Sequence, residues 1–440
     1  MRICVVGLGK IGLPLAAQFA HKGHWVIGAD IDPTVVASVS AGHAPPGETG
    51  LTERLAAAVT AQRFTATTDV TAAVERCEAV VVAVPLLLTD DGRPDFTAID
   101  AATAAIGAGL QKGTLVSYET TLPVGTTRGR LAEALAHRSR LRAGDDFHLV
   151  FSPERVFTGR VFTDLRRYPK LVGGIDTEST RHGLDFYGRV LDFDERPELP
   201  RPNGPWDMGS CEAAEFAKLA ETTYRDVNIG LANQFARHAD RVGVDVARII
   251  EACNTQPYSH IHHPGIAVGG HCIPVYPQLY LEGDPNASIV SAARAVNATM
   301  PDYAVGVLAD AFGDLHGATV VVLGAAYRGG VKETAYSGVF RLVDLLADLR
   351  ATPLVSDPLY TDDELAALGL PAYHGEAADA IIVQTDHQRY RDLDAADWPG
   401  VKVLVDGRGI TDPNRWQAVQ RILLGGGGRT HPEDPARTRP

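Results

Sequence analysis

The chain has 440 residues, of which 45% are hydrophobic and 22% charged, with a formal net charge of −13. This balance excludes a mainly disordered chain, and the acidic surplus excludes a general nucleic-acid binder, which needs a basic face. A local phosphate site remains compatible with it.

At about 100–200 residues per domain, the length predicts two or three domains. Five cysteines (Cys4, Cys77, Cys211, Cys253 and Cys272) are widely spaced, odd in number and without a CxxC pair. That argues against a disulfide framework or a cysteine zinc site, and for a reducing, cytoplasmic compartment. The longest apolar run, near residues 79–88, contains Pro85 and is too short to span a bilayer. The apolar stretch after Arg2 is broken by Gly7, Gly9, Lys10 and Gly12, and reads as structure rather than a secretion signal.

In chain order, buried strands are expected at 3–6, 25–29, 79–84, 115–117 and 147–151, with Ala- and Leu-rich helical stretches between several of them. This alternation predicts a parallel sheet with helices on both faces. Residues 196–206 hold Pro197, Pro200, Pro202 and Pro205 and read as a linker. A helical pattern runs from about 210 to 241, with Glu212 and Glu215 near its start, where they suit the helix dipole, and Gly243 beyond its end. Roughly 30 residues give about 45 Å, a length suited to a strut between domains or a dimer-forming helix. The strand–helix rhythm resumes with strands at 319–324, 353–356, 380–385 and 402–406. The glycine run from Gly425 opens a tail expected to be disordered through 440. The fold class is therefore α/β: two Rossmann-like, doubly wound parallel-sheet domains joined by a long central helix. The expected divisions are 1–205, 206–300, 301–424 and the tail 425–440.

Gly7-Leu8-Gly9-Lys10-Ile11-Gly12 matches GxGxxG between an expected strand and an expected helix. The first glycine permits the tight turn, the second lets a pyrophosphate approach the backbone, and the third lets helix and strand pack closely. Asp30 closes the second strand, where a carboxylate hydrogen-bonds a ribose 2′-hydroxyl and repels a 2′-phosphate, favouring NAD over NADP. Asp32 is a rival for this contact, less well placed.

Residues 264–274, PGIAVGGHCIP, hold Cys272 between glycines and Pro274. A free thiol of pKa about 8.5 is only a few per cent thiolate at pH 7, so a nucleophilic Cys272 needs a nearby cation or donor. By composition alone, a lone cysteine is more often a small buried hydrophobe. At 100° per residue, Lys218, Thr222 and Arg225 share one face of the long helix, with Glu221 at its edge. A helix lysine is usually solvated, but Phe216, Ala217, Leu219 and Ala220 suggest a packed helix.

These motifs stand in the order of a known family: GLGKIGLP at 7–14, TLPVG at 121–125, SPERV at 152–156 followed by Gly159-Arg160-Val161, KLAETTYRDVN at 218–228, GGHCIP at 269–274, then Asp357-Pro358 and Asp406-Gly407-Arg408. Over residues 1 to about 422 the chain resembles the nucleotide-sugar 6-dehydrogenases, the family of UDP-glucose, GDP-mannose and UDP-N-acetylmannosamine dehydrogenases. The resemblance implies a four-electron oxidation of the sugar C6 alcohol to a uronic acid with NAD. Cys272 would form a thiohemiacetal and then a thioester, Lys218 would stabilise the oxyanion, Glu154 would act as acid–base or water-positioning carboxylate, and Thr121 would hold a water or the nicotinamide end. It implies NAD contacts at Gly7, Gly9, Lys10, Ile11, Gly12, Asp30, Pro85 and Thr121. It implies substrate contacts at Arg155, Val156, Lys218, Thr222, Arg225, His262, Gly269, Gly270 and Arg328. The family's last domain grips the nucleotide while the sugar reaches back to Cys272. Gly324, Gly330 and Arg328 would then face the diphosphate, and Thr385-Asp386-His387 the base or ribose, unless that triplet is a surface turn.

Departures from the family pattern are Val275 and Tyr276, where lysine and aspartate are common, Thr222 for asparagine, and Ala335 for arginine. The loop before the cysteine carries Tyr258, Ser259, His260, His262 and His263 where the family often has an arginine. Sugar or phosphate contact is expected of these histidines rather than metal, for want of matching ligands. Tyr224-Arg225-Asp226-Val227-Asn228, with Pro153-Glu154-Arg155, resembles the N-acetylhexosamine branch, with UDP- or dTDP-glucose as the alternative substrate. The expected partners are the nucleotide sugar and a second copy of the chain through the long helix, with no nucleic acid and no membrane. A two-electron 3-hydroxyacid dehydrogenase would need neither the cysteine nor the last domain. A degenerate binding protein would find support in Tyr276 and Ala335, and is opposed by Cys272, Lys218 and Glu154 together.

Overall fold

The computed structural model describes residues 1–89 and 91–428. The chain divides into two compact units, one formed by Met1–Glu221 with Gln278–Gly283, the other by the remaining chain from Thr222. The division falls inside the long helix, so the segment expected as a separate central region is shared between the two.

In the first unit, apolar runs form the strands β1 (Arg2–Val6), β2 (Trp25–Ala29), β3 (Phe64–Thr67), β4 (Ala79–Val82), β5 (Leu115–Tyr118), β6 (His148–Phe151), β7 (Lys170–Gly174) and β8 (Pro205–Asp207). The sheet order is β8-β7-β6-β5-β4-β1-β2-β3. From β3 to β6 every pairing is parallel, with Ile3 beside Val26 and Ala79. Near-continuous burial of β1 and β4 is what a sheet covered on both faces requires. Ile3, Val5, Leu13, Phe19 and Val81 lie in the main core.

One pairing departs from the expected parallel sheet: β7 runs antiparallel to β6, with Val150 beside Gly174. Segment 152–169 therefore stays at the carboxyl end of the sheet, and Lys170 enters β7 at that end. The expected linker 196–206 also needs correcting at its end. Pro205 opens β8, which pairs parallel with β7, a place proline tolerates at the start of an edge strand.

The second unit holds β9 (Thr319–Leu323), β10 (Thr352–Ser356), β11 (Ala380–Val383), β12 (Val403–Asp406) and β13 (Gln420–Leu423), in the order β10-β9-β11-β12-β13. All four pairings are parallel. One face carries Val320, Val322, Leu342 and Leu346, the other Val321, Ile381, Tyr390 and Trp416, so this sheet too is doubly covered.

The long helix spans Cys211–Val242, close to its expected bounds, and ends at Gly243 with φ +73°. In the second unit its Gly230 lets the helix Ser288–Ala298 approach so closely that an added Cβ would lie 3.1 Å from the Ala293 Cα. Gly425–Gly428, expected as the start of the tail, instead form a turn anchored to this helix: the Gly425 and Gly427 N–H groups donate to Asp240 at 3.0 and 3.1 Å. The rest of the expected tail lies outside the described residues.

Candidate active site

The turn after β1 is built by its glycines. Gly7 has φ +88°, and a Cβ there would stand 3.0 Å from the Ala83 carbonyl oxygen; a Cβ at Gly12 would stand 1.8 Å from the Gly7 oxygen. At Gly9 no atom lies within 4 Å of an added Cβ, so open space faces the backbone where the motif puts a pyrophosphate. Lys10 is exposed, and half-buried Ile11 precedes the helix Gly12–His21. Asp30 sits just past β2, where its carboxylate accepts from the Leu8 N–H at 2.7 Å and the Asp32 N–H at 3.0 Å. Asp32 instead caps the next helix by accepting from the Thr34 N–H, which leaves Asp30 the ribose candidate. Pro85 is exposed beyond β4, and Thr120 Oγ1 donates to the neighbouring Val84 carbonyl at 2.6 Å. Thr121 is buried. The open backbone, helix start and strand-end carboxylate fit a dinucleotide.

At the carboxyl end of the same sheet, β5 leads into Glu119 and β6 into Glu154. The antiparallel β7 brings Lys170 to both: its Nζ donates to Glu119 Oε2 at 2.5 Å and to Glu154 Oε2 at 2.8 Å. The Tyr187 hydroxyl donates to Glu119 Oε1 at 2.7 Å, and the Arg155 N–H donates to Glu154 Oε1 at 2.7 Å. Burial pushes the Glu119 carboxyl up to about 7, with Lys170 opposing. Burial pushes Glu154 the same way, but Lys170, the Arg155 N–H and Lys218 outweigh it and hold Glu154 below the usual carboxylate range. Burial favours a neutral Lys170, yet the two carboxylates outweigh it and raise its pKa. Sequence reasoning singled out Glu154 but not the Glu119 and Lys170 that the structure places against it. Their only signal was a charge bordering an apolar strand, YE at 118–119 and KLVGG at 170–174.

Lys218 is 6% exposed. Its ammonium belongs to the electrostatic surroundings of Glu154, and the solvated alternative does not apply. Arg155 pairs with Glu221 at 2.9 Å, and Val156 packs against the main core. Glu215, expected to serve the helix dipole, is fully buried and binds Gly125, at the end of the TLPVG segment, and Thr127 just beyond it. Its carboxylate accepts from Gly125 N–H at 2.6 Å, Thr127 N–H at 2.8 Å and Thr127 Oγ1 at 2.6 Å.

In the second unit Thr222 is buried and Arg225 half-buried on the continuing helix. Half-buried His262 has burial and the Arg225 charge pulling its pKa down. Among the described residues no group of three or more His, Cys, Asp or Glu is arranged to hold a metal. Cys272 is partly exposed, whereas Cys4, Cys77 and Cys211 are buried, and burial raises the thiol pKa of each. The loop shape is enforced by Tyr327: a Cβ at Gly269 would stand 2.3 Å from the Tyr327 Cβ, and Gly270, at φ +89°, faces the Tyr327 ring. The Gly270 N–H donates to the Ala335 carbonyl at 2.7 Å.

The loop 324–330 is pinned at several backbone groups. Asp357 Oδ2 accepts from the Ala325 and Ala326 N–H groups at 2.8 and 3.0 Å. Asp386 Oδ1 accepts from the Gly329 N–H at 2.8 Å, and His387 Nδ1 from the Gly330 N–H at 3.3 Å. Thr385 and His387 are buried, while Asp386 between them is exposed. Arg328 Nε donates to the Tyr327 hydroxyl at 3.2 Å.

Comparison with known families decides among the readings. Residues 1–191, 212–299 and 321–413 match, in turn, the NAD binding, central and UDP binding domains of the UDP-glucose/GDP-mannose dehydrogenase family. The chain belongs to this family. A UDP-N-acetyl-D-mannosamine dehydrogenase of Pyrococcus horikoshii is 33% identical over 423 residues, covering 93% of this chain and 96% of the relative. An NDP-N-acetyl-D-galactosaminuronic acid dehydrogenase of Ralstonia nicotianae is 31% identical, covering 94% and 97%. A solved structure of the Pyrococcus horikoshii UDP-D-ManNAc dehydrogenase superposes with a TM-score of 0.87 at 31% identity, covering 97% of this chain and all of that one. This member of the UDP-glucose/GDP-mannose dehydrogenase family is thus an NAD-dependent nucleotide-sugar dehydrogenase, an oxidoreductase with NAD as its cofactor. No helix among the described residues is long and apolar enough to cross a membrane.

Proposed function

We propose that the protein oxidises the C6 hydroxyl of a UDP-N-acetylhexosamine to the uronic acid through a covalent adduct on Cys272, acting as a cytoplasmic homodimer. The observation that carries the covalent route is the partly exposed Cys272 in a loop whose glycines Tyr327 makes obligatory; Cys4, Cys77 and Cys211 are buried, and the exposed Cys253 ends the helix Val246–Cys253, outside any such loop. The N-acetylhexosamine assignment is supported by the full-length likeness to relatives named for N-acetylated sugars and by the residues 224–228.

NAD, when bound, would supply the hydride acceptor for each of the two oxidations. Cys272 adds to the aldehyde carbon, giving a thiohemiacetal whose oxidation leaves a thioester; water then releases the carboxylate and frees the thiol. Lys218 offers its ammonium to the developing oxyanion, an interaction worth roughly 3–4 kcal/mol in comparable sites. Glu154, held ionised, orients or deprotonates the water, and Thr121 holds water or the nicotinamide end. Gly7, Gly9, Lys10, Ile11, Gly12, Asp30 and Pro85 bind the dinucleotide. Arg155, Val156, Thr222, Arg225, His262, Gly269 and Gly270 contact the sugar nucleotide, with Arg328 on its diphosphate. The exposed apolar side chains Tyr224, Leu231 and Phe235 on the long helix support pairing with a second copy.

NADH formed per sugar consumed tests the reading, measured on UDP-N-acetylhexosamines, UDP-glucose, dTDP-glucose and GDP-mannose. Two NADH per UDP-N-acetylhexosamine is the expected result. One per sugar would end the four-electron reading, and two with UDP-glucose alone would reassign the substrate.

A further inference from the structure

The carboxylate proposed to handle water is not isolated. Lys170, inside the sheet, contacts Glu154 on one side and Glu119 on the other at 2.8 and 2.5 Å, and all three side chains are at most 9% exposed. Glu119 has no role in the reading above, yet it is the deeper of the two carboxylates and receives the Tyr187 hydroxyl, which in turn shares a hydrogen bond with Ser117 at 2.7 Å. Two buried carboxylates on one ammonium cannot both ionise without cost, so the cluster must place a proton when the pH falls. We propose that Lys170 and Glu119 are positioning residues for Glu154: Lys170 aims its carboxylate and keeps it ionised, and Glu119 is the carboxyl that takes up the cluster's proton. The inference rests on the assignment of Glu154 to the reaction.

The geometry sets the direction of the effect. Glu119 faces Lys170 from β7, Glu154 from the segment after β6, and Tyr187 from the helix Thr177–Val190, with Lys218 beyond Glu154. Protonated Glu119 leaves Lys170 paired with Glu154 alone, and Glu154 is then a weak base. Ionised Glu119 shares the ammonium, loosening its hold, and Glu154 becomes a stronger base. Burial pushes the Glu119 carboxyl to about 7, so acid formation should rise with pH through about that value.

The test is the pH profile of kcat and KM for uronic-acid formation from pH 5.5 to 9, in wild type, Glu119→Gln, Lys170→Met, Lys170→Arg and Glu154→Gln. In Glu119→Gln the amide oxygen still accepts from Lys170 and its NH2 reaches the Tyr187 oxygen, but nothing there titrates. The limb near pH 7 should vanish while KM stays within about twofold. Lys170→Met should lower kcat roughly 100-fold, the size of a lost general-base contribution, and Lys170→Arg should restore part of it. Should Lys170→Met not fold, Glu119→Gln decides alone. An unchanged limb in Glu119→Gln, or a uniform loss of kcat with the limb intact, overturns the inference. Glu154→Gln at the wild-type rate would instead remove the role of Glu154 itself, and with it the basis of the proposal.

Discussion

In the proposed mechanism Cys272 concentrates the chemistry in a single sulfur atom. Replacing it with alanine removes only that atom from a partly exposed loop position, so the fold should be little affected. The Cys272→Ala variant should form no uronic acid while binding NAD within about twofold of wild type, by fluorescence titration and by product analysis. Acid production at the wild-type rate would remove the covalent route. Lys218→Ala should lower kcat by roughly 100- to 1,000-fold, the range seen when a preorganised oxyanion partner is lost; a change confined to KM would make it a binding group only. The local settings of Gly7, Gly12, Asp30 and Cys272 were legible in the sequence because their constraints are local: a turn, a strand end, a glycine-flanked loop; their functional roles remain proposals. Glu119 and Lys170 were hidden because their meaning depends on the direction of β7, which no local pattern encodes. Glu215 was misjudged for a similar reason, since position on a helix does not reveal what faces it.

Elements followed the same divide. The buried parallel strands β1, β4, β9 and β11 were evident as continuous apolar runs, whereas β3, Phe-Thr-Ala-Thr, and β8, opened by a proline, carry too little apolar signal to stand out. The first turns of the long helix offer a measurable consequence. Burial pushes the Glu215 carboxyl up to about 7, while its hydrogen bonds with Thr127 and Gly125 oppose the rise. Its folded pKa lies above its unfolded value, so the folded chain holds the proton more tightly between about 4.5 and about 7. The stabilisation linked to Glu215 is therefore complete below about pH 4.5 and is lost as pH rises through about 7, a change of roughly 3 kcal/mol. Glu215→Gln abolishes that titration and turns an NH2 toward one of the backbone donors, at a cost of about 1–3 kcal/mol. Urea denaturation should find the variant less stable at pH 5, with the gap to wild type narrowing by pH 8. Histidines whose pKa is lowered, such as His148, act alike in both chains and cancel in the difference. A gap that widens with pH would contradict this account.

At the scale of the whole molecule, the long helix exposes more apolar surface than one chain has use for. Tyr224, Leu231, Phe235 and Val242 are each 36% exposed or more, and their spacings of seven, four and seven residues place them on one stripe. Isolated exposed apolar residues are ordinary, but a stripe sustained over five turns of a helix implies a covering partner. The second copy proposed above would satisfy this by two-fold symmetry, and any substitution in the stripe would then count twice in the interface. Burying a leucine or phenylalanine side chain contributes about 1.5–3 kcal/mol. Leu231→Glu with Phe235→Glu would forfeit that on both copies and bring four carboxylates together. The dimer should weaken by well over 100-fold, since each 1.4 kcal/mol is tenfold. Light scattering at micromolar concentration should give twice the chain mass for wild type and the chain mass for the double variant, with matching far-ultraviolet circular dichroism. A monomeric wild type would refute the pairing. A double variant that remains dimeric would place the interface on another face and leave the stripe to a different partner.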